Sequence, residues 1–379
     1  MAHAYTPGLK VSKQTEVRKE RRLPLRGQVL VKLGDRVTAE TVVAKTELPG
    51  NVQTVNVANK LSLLPEDIHG HMVHKLGEWV EEGEIIAQSK SFFGLFKAHC
   101  NMPVSGTIES ISDITGQVIV RERAIPVEVH AYLDGDIIEV YENEGVMVRT
   151  TATFVQGIFG IGGEAVGALE IVAERPDEVL KPDRINASHK GKILVAGSLV
   201  TMDVLNRARE VGAKALIAGG MGDSDLRTIL GYDLGVAITG SENIGLTVVV
   251  TEGFGKMTMA RRTFDLLKSR RGMKTSISGA TQIRAGVIRP EVVIPLYGTA
   301  SATSEVFGVF GDAVSTGMIV GSPVRVIREP YFGEIGKVAD LPPELKKLET
   351  EAMVRVLSVE FDDGKVAVIP RANVELIEE

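Results

Sequence analysis

From Leu23 onward the apolar residues fall in short alternating runs broken by glycine, the period of half-buried strands rather than of helices. One such stretch is written twice: VLVKLGDRVTAETVVA (29–44) realigns on MVHKLGEWVEEGEIIA (72–87) with a constant offset of 43 residues. Lys32, Leu33, Gly34, Val37, Val43 and Ala44 fall on Lys75, Leu76, Gly77, Val80, Ile86 and Ala87. Each copy reads strand, Gly–acid turn, strand. A strand opened by Pro and Gly follows each, LPGNVQTV (48–55) and MPVSGTIESI (102–111). A unit this small has to pack against its copy to bury its apolar face.

The period changes after the Pro-rich stretch 174–184. KILVAG (192–197), KALIAGG (214–220) and LTVVVTE (246–252) read as buried strands separated by helical patterns. The first helix carries Val204, Leu205, Ala208 and Val211 on one stripe, with Thr201 or Asp203 as cap. The second covers 224–230 with Ser224 as cap. The third covers 257–271, with Met257, Ala260, Phe264 and Leu267 inward and Gly272 as its stop. This βαβαβα succession predicts a three-layer α/β domain with a mostly parallel sheet. Alternation returns in residues 321–379, where five short runs and the Asp363-Gly364 turn predict a small β-barrel. The expected organisation is a basic tail 1–22, a β-region 23–140, a β connecting region and hinge 141–189, the α/β domain 190–296, a linker 297–320 and the terminal barrel 321–379.

Composition narrows the function classes. The formal charge of −6 over 379 residues excludes a globally basic nucleic-acid binder. The single cysteine, Cys100, excludes a disulfide framework, an iron–sulfur cluster and a four-cysteine zinc site. No window of about 18 apolar residues and no apolar leader segment are present, so the expectation is a cytoplasmic protein without membrane contact. Residues 10–22 hold six basic and two acidic side chains with no apolar period. They read as a solvated tail, or alternatively as an electrostatic arm.

Two resemblances follow from these motifs. The paired "V-x-K-x-G-D-x-V … PG-x-V" units resemble the barrel-sandwich hybrid fold of biotinyl and lipoyl domains, which also begins the C subunit of Rnf complexes and the A subunit of the sodium-pumping quinone reductase. VRVIREPYFGEIGKV (324–338) resembles the KOW motif of NusG and of ribosomal proteins, with Gly333 and Gly336 at tight-turn positions and an SH3-like barrel implied. The carrier resemblance implies a modified lysine at a hairpin. Lys90 and Lys97 lack the flanking pattern, so no covalent cofactor is expected. The same loop carries Phe92, Phe93 and Phe96, which suit an interface.

The remaining chemistry is sparse. Three predicted strands end in glycine turns, at Gly197-Ser198, at Gly219, Gly220 and Gly222, and at Gly253 and Gly255. Parallel strands would bring these to one edge, where Lys256, Arg261 and Arg262 offer a site for a small anion such as a phosphate or nucleotide. No turn matches a nucleotide fingerprint, and close packing would require the same glycines. Residues 256–274 hold seven basic side chains against Asp265 alone. Cations in the last helical turn complement the macrodipole, while Arg270 and Arg271 also suit a phosphate backbone. His69, His71 and His74 do not share one strand face, so no metal is expected. In the terminal barrel Arg325 and Arg328, with Tyr331 and Phe332, form a cation-plus-aromatic set suited to RNA or an acidic protein; the alternative is that the two aromatics plug the barrel. No catalytic constellation is present. The expected function is therefore a non-catalytic cytoplasmic scaffold or adaptor for RNA or for transcription or translation proteins, whose exposed β-edges permit homo-oligomerisation. The alternatives are an enzyme or sensor for a phosphorylated small molecule at the glycine edge, and a cluster-free relative of the Rnf and quinone-reductase subunits.

Overall fold

A computed structural model describes residues 9–89, 98–231, 242, 244–281, 288–296, 318–326, 328, 330–331, 334–347, 353–361 and 363–376. The chain is mostly β, built on a large mixed sheet with a half-barrel at its C-terminal end.

The repeat is real, and its two units are nested. In the first, Arg36–Val37 pairs with Gly135–Tyr141 and Val42–Leu48 pairs with Ile125–His130. In the second, Trp79–Val80 pairs with Gly106–Ile111 and Ile85–Gln88 with His99–Asn101. The hydrogen bonds repeat one for one. Gly34 N–H donates to Ile137 O and Gly77 N–H to Ile108 O, both at 2.8 Å. Lys32 N–H donates to the Asp35 carboxylate at 2.7 Å, and Lys75 N–H to that of Glu78 at 3.0 Å. The same register shift falls at Val129/His130 and at Ile85/Ala87. The second unit, with the strands Val52–Asn56 and Gln117–Arg121, therefore sits between the two arms of the first and encloses its own core around Ile68, Ile86, Met102 and Ile108. One expectation changes here. The structural counterpart of GTIESI is GDIIEV (135–140), not NVQTV, because the first unit's partner strand follows the insertion.

The strands Glu164–Ile171, Ile193–Val195, Ala215–Met221 and Thr247–Phe254 are parallel neighbours, as the βαβ pattern requires. Helices Met202–Val211 and Asp223–Leu230 pack on one face around Leu205, Leu216 and Val248, and helix Arg261–Ser269 packs on the other through Phe264 and Leu267. Burying a side chain such as Phe264 contributes roughly 2–3 kcal/mol. Thr201 caps the first helix by accepting from Val204 N–H. The second starts at Gly222 without a side-chain cap, so Ser224 does not cap it, and the third is shorter than expected.

The sheet is mixed rather than mostly parallel. It continues antiparallel from Glu164–Ile171 through Lys274–Ser278, Glu291–Pro295 and Gly145–Gln156. The chain beyond Gln156 then crosses to the other end of the sheet as Phe159–Ile161, antiparallel to Thr247–Phe254. The expected connecting region thus supplies three strands of this sheet. The expected basic tail is a further strand, Val11–Arg22, antiparallel to Gly145–Gln156.

In the half-barrel, Pro323–Val326, Ile335–Asp340, Met353–Phe361 and Val366–Pro370 pair in succession, and Val374–Leu376 returns to Pro323–Val326. Gly364 (φ 80°) makes the expected Asp363-Gly364 turn. Gly336 lies within a strand rather than at a tight turn, where a Cβ would meet the Glu360 carbonyl and Val359. Gly333 and nearly all of 297–320 lie outside the described residues.

Candidate functional site

The parallel strands do bring the glycine turns to one edge, but the chain fills that edge itself. A Cβ on Gly197 would collide with the Glu178 carbonyl oxygen, on Gly219 with that of Met257, and on Gly220 with that of Gly255. The glycines permit backbone to lie on backbone. Gly219 N–H donates to Gly197 O (2.9 Å), Gly255 N–H to Met221 O (2.8 Å) and Met257 N–H to Ser198 O (3.0 Å). Ser198 is fully buried and its hydroxyl donates to Asp177 O at 2.9 Å. Gly253 pairs with Gly220 across the two strands. Lys256, Arg261 and Arg262 are exposed, yet the helix start beside them already holds an anion: Glu252 accepts from Ala260 N–H at 2.9 Å.

The same carboxylate begins a buried ion chain. Arg325 donates to Glu252 at 2.8 Å and to Glu375 at 3.0 Å, and Arg289 donates to Glu375 at 2.8 Å. The Arg325 side chain is 4% exposed and that of Glu375 1%. This corrects the expected cation-plus-aromatic surface. Val324, Arg325 and Val326 are all buried, because their strand lies between the half-barrel core and the α/β unit, so alternation exposes neither face. Tyr331 packs on Phe361 with ring centres 5.3 Å apart and has Lys365 over its ring at 4.6 Å, so it covers the core. Arg328 is half-buried. Phe332, Phe92, Phe93 and Phe96 lie outside the described residues.

The C-terminal part of the basic run is engaged within the chain. Arg270 donates to the Thr153 hydroxyl at 2.9 Å, and Arg271 pairs with Glu170 at 2.6 Å. Lys274 bonds Glu40 and Asp134, each at 2.7 Å. The bond from Lys274 holds the Glu40 carboxyl below its ordinary range. Burial opposes the Lys274 charge, but its two carboxylate partners outweigh that and raise its value.

A second polar cluster, which the sequence did not indicate, anchors the N-terminal strand. Lys19 pairs with Glu291 at 2.6 Å, and the Tyr132 hydroxyl donates to the same carboxylate at 3.2 Å. Arg21 lies over the Tyr132 ring and forks onto Glu164 at 2.7 and 2.8 Å. Tyr132 is buried with φ 67°, a strained conformation for a bulky residue; burial, followed by the Glu291 charge, pushes its hydroxyl well up. Every named group in this cluster has a partner, which makes it a clamp.

What packing does not explain is repeated. The turn residues Leu30 and Leu33 are 43% and 68% exposed, and their counterparts Val73 and Leu76 are 49% and 64% exposed. Beside the second pair, His74 lies between Glu78 and Glu84, 3.2 Å from each. The carboxylates flank opposite ring nitrogens and so do not converge on one point. Among the described residues no group of three or more His, Cys, Asp or Glu side chains is arranged to hold a metal, and no helix is long and apolar enough to cross a membrane.

Compared with known protein families and with curated proteins, the chain matches none.

Proposed function

We propose that this protein is a non-catalytic scaffold that binds macromolecular partners through its β-modules. The observation that carries the reading is the duplicated apolar turn: two units present Leu30 with Leu33 and Val73 with Leu76 outward at matching positions, at matching exposure. Exposed aliphatic side chains cost solubility and gain nothing in either core, so their repetition favours a partner that contacts them. The nested repeat supports a barrel-sandwich hybrid. The strand succession of the terminal half-barrel, with a 3-10 turn (Arg371–Asn373) before its last strand, supports an SH3-like, KOW-type module. Protein is favoured over RNA, since Arg270, Arg271 and Arg325 are engaged within the chain. The glycine edge favours a phosphate ligand less, because its backbone amides are spent internally.

The test is affinity recovery from lysate with the wild type and with Leu33→Glu/Leu76→Glu, with and without ribonuclease. The expected result is a stoichiometric protein, insensitive to ribonuclease, that the double variant loses. Identical recoveries from both forms would remove the apolar turns from the argument. Recovery that ribonuclease abolishes would replace protein with RNA.

A further inference from the structure

The strand Val11–Arg22 is an edge: among the described residues it pairs with one neighbour, Gly145–Gln156. Twelve residues at about 3.4 Å each give roughly 40 Å of backbone with unpaired polar groups on its outer side. Natural edges of this length are guarded by charge, commonly of one sign. This one is guarded by alternating signs. Its odd positions Val17, Lys19 and Arg21 face the fold, where Glu291 and Glu164 neutralise the two cations. Its even positions Glu16, Arg18, Glu20 and Arg22 face solvent, with side chains 47%, 60%, 46% and 45% exposed. Glu16 and Arg18 pair along the strand at 2.7 Å, as do Glu20 and Arg22, and Arg22 also reaches Glu144 at 2.6 Å. Exposed pairs of this kind hold one another weakly, about 0–1 kcal/mol, and can exchange partners.

An alternating ladder is complementary to itself when reversed. We propose that two copies of this chain associate edge to edge through residues 16–22, beyond the register shift between Ser12 and Thr15, antiparallel about a twofold axis at Lys19. Glu16 then lies opposite Arg22 of the second copy and Arg18 opposite its Glu20, so each of the four exposed charges meets the opposite sign. Directly opposed charges of opposite sign stabilise an antiparallel pair, and like charges destabilise it. A slip that centres the axis on Arg18 opposes Arg18 to Arg18 and Glu16 to Glu20. The pattern therefore rejects neighbouring registers as well as foreign strands, which a single-sign edge does not do. The contact is isologous and closes at two copies, leaving no free end for further growth. It does not involve the repeat turns and stands whether or not they bind a partner.

The test uses the full chain and light scattering coupled to size exclusion. One variant carries a basic ladder, Glu16→Arg/Glu20→Arg, and the other an acidic ladder, Arg18→Glu/Arg22→Glu. The wild type is expected at twice the 40.8 kDa chain mass, each variant alone at the chain mass, and their equimolar mixture at twice the mass again. A wild type that stays monomeric at about 100 μM overturns the proposal. So does a dimer that survives in both variants, or a mixture that fails to reassociate. Circular dichroism checks folding of each variant. If either unfolds, a chain with Gln at all four positions removes the complementarity without adding repulsion, and its dimer should dissociate at least tenfold more readily; an unchanged dimer constant overturns the proposal equally.

Discussion

Replacing Arg325 with methionine separates a surface cation from a structural one. On an exposed strand face the substitution would cost at most about 1 kcal/mol, the worth of a solvated ion pair. In the structure the guanidinium bridges two carboxylates, with side chains of Glu252 12% and Glu375 1% exposed. Among the described residues, removing it leaves Glu252 with the Ala260 N–H and Glu375 with Arg289. Breaking a buried pair by deleting one partner costs about 3–5 kcal/mol, since the desolvated charge left behind is uncompensated. The loss falls on the joint between the half-barrel and the α/β unit, so the local opening of that joint is the quantity to read. Amide exchange over Pro323–Val326 and Val374–Leu376 should accelerate by roughly a hundred- to a few-thousand-fold, following about 1.4 kcal/mol per tenfold. Exchange over Val118 and Val120, in the core of the second repeat unit, should stay unchanged. Replacing all four members together with apolar residues of similar size should recover most of the loss, because the desolvation penalty disappears with the charges. An acceleration below about fivefold for Arg325→Met would refute the buried-bridge argument and return Arg325 to the surface.

Three further outcomes follow from the geometry. Gly34→Ala and Gly77→Ala each place a Cβ at φ 86° with open space around it, so each should cost roughly 1–2 kcal/mol of backbone strain, equally and additively, by denaturant titration; unequal costs contradict the equivalence of the turns. Gly219→Ala drives a Cβ against the Met257 carbonyl, and its denaturation midpoint should fall further than that of either turn variant; a smaller loss would show the edge to be open enough for a ligand. Because Lys274 lowers the Glu40 carboxyl, that contact stabilises the fold above the ordinary carboxylate value and is lost as pH falls through the lowered one. The raised Lys274 value works in the other sense: its contribution is present below the ordinary lysine value and is lost as pH rises through the raised one. Lys274→Met should therefore flatten the acid side of a plot of melting temperature against pH, and an unchanged slope there removes the pair from the acid response.

The parallel core was readable because each local signal agreed with its packing. Thr201 caps, Gly212 stops its helix at positive φ, and of the apolar stripe Val204, Leu205 and Ala208 are buried and Val211 partly so, whereas the last helix ends at Ser269, short of the expected stop at Gly272. The repeat was readable for the same reason, since Val37 and Val80, Val43 and Ile86, and Ala44 and Ala87 are all buried. Its nesting was not: Val37 pairs with Gly135, and nothing local to either segment announces a partner beyond a whole inserted unit. The N-terminal strand was hidden by its own chemistry. Its inward positions are filled by Lys19 and Arg21, whose charges are met by Glu291 and Glu164 from distant strands, so the apolar alternation that marks a strand is missing. Arg325 misled in the opposite way, because a strand between two cores has no solvent face for alternation to reveal.

The two repeat units also separate what duplication preserves from what each copy does with it. Core positions match because each unit must close a small core of its own. Leu30 with Val73 and Leu33 with Leu76 match as well, although neither core needs them. The layer around them differs. Val31, Thr38 and Thr41 of the first unit correspond to His74, Glu81 and Glu84 of the second, where Glu84 holds His74 at 3.2 Å and Glu81 accepts from the Trp79 indole at 2.8 Å. Tyr132, strained and clamped to the central sheet, stands where the second unit has Pro103. The first unit is therefore bound into the sheet through Tyr132, Asp134 and Glu40, while the second carries its acidic layer outward at the end of two paired arms. One copy serves as the mount and the other as the presented module. A partner that requires only the apolar turn should use either unit, whereas a partner with a basic surface should depend on Leu76 far more than on Leu33. Separate Leu33→Glu and Leu76→Glu variants measure that difference directly, and equal losses would show that the acidic layer plays no part in choosing the partner.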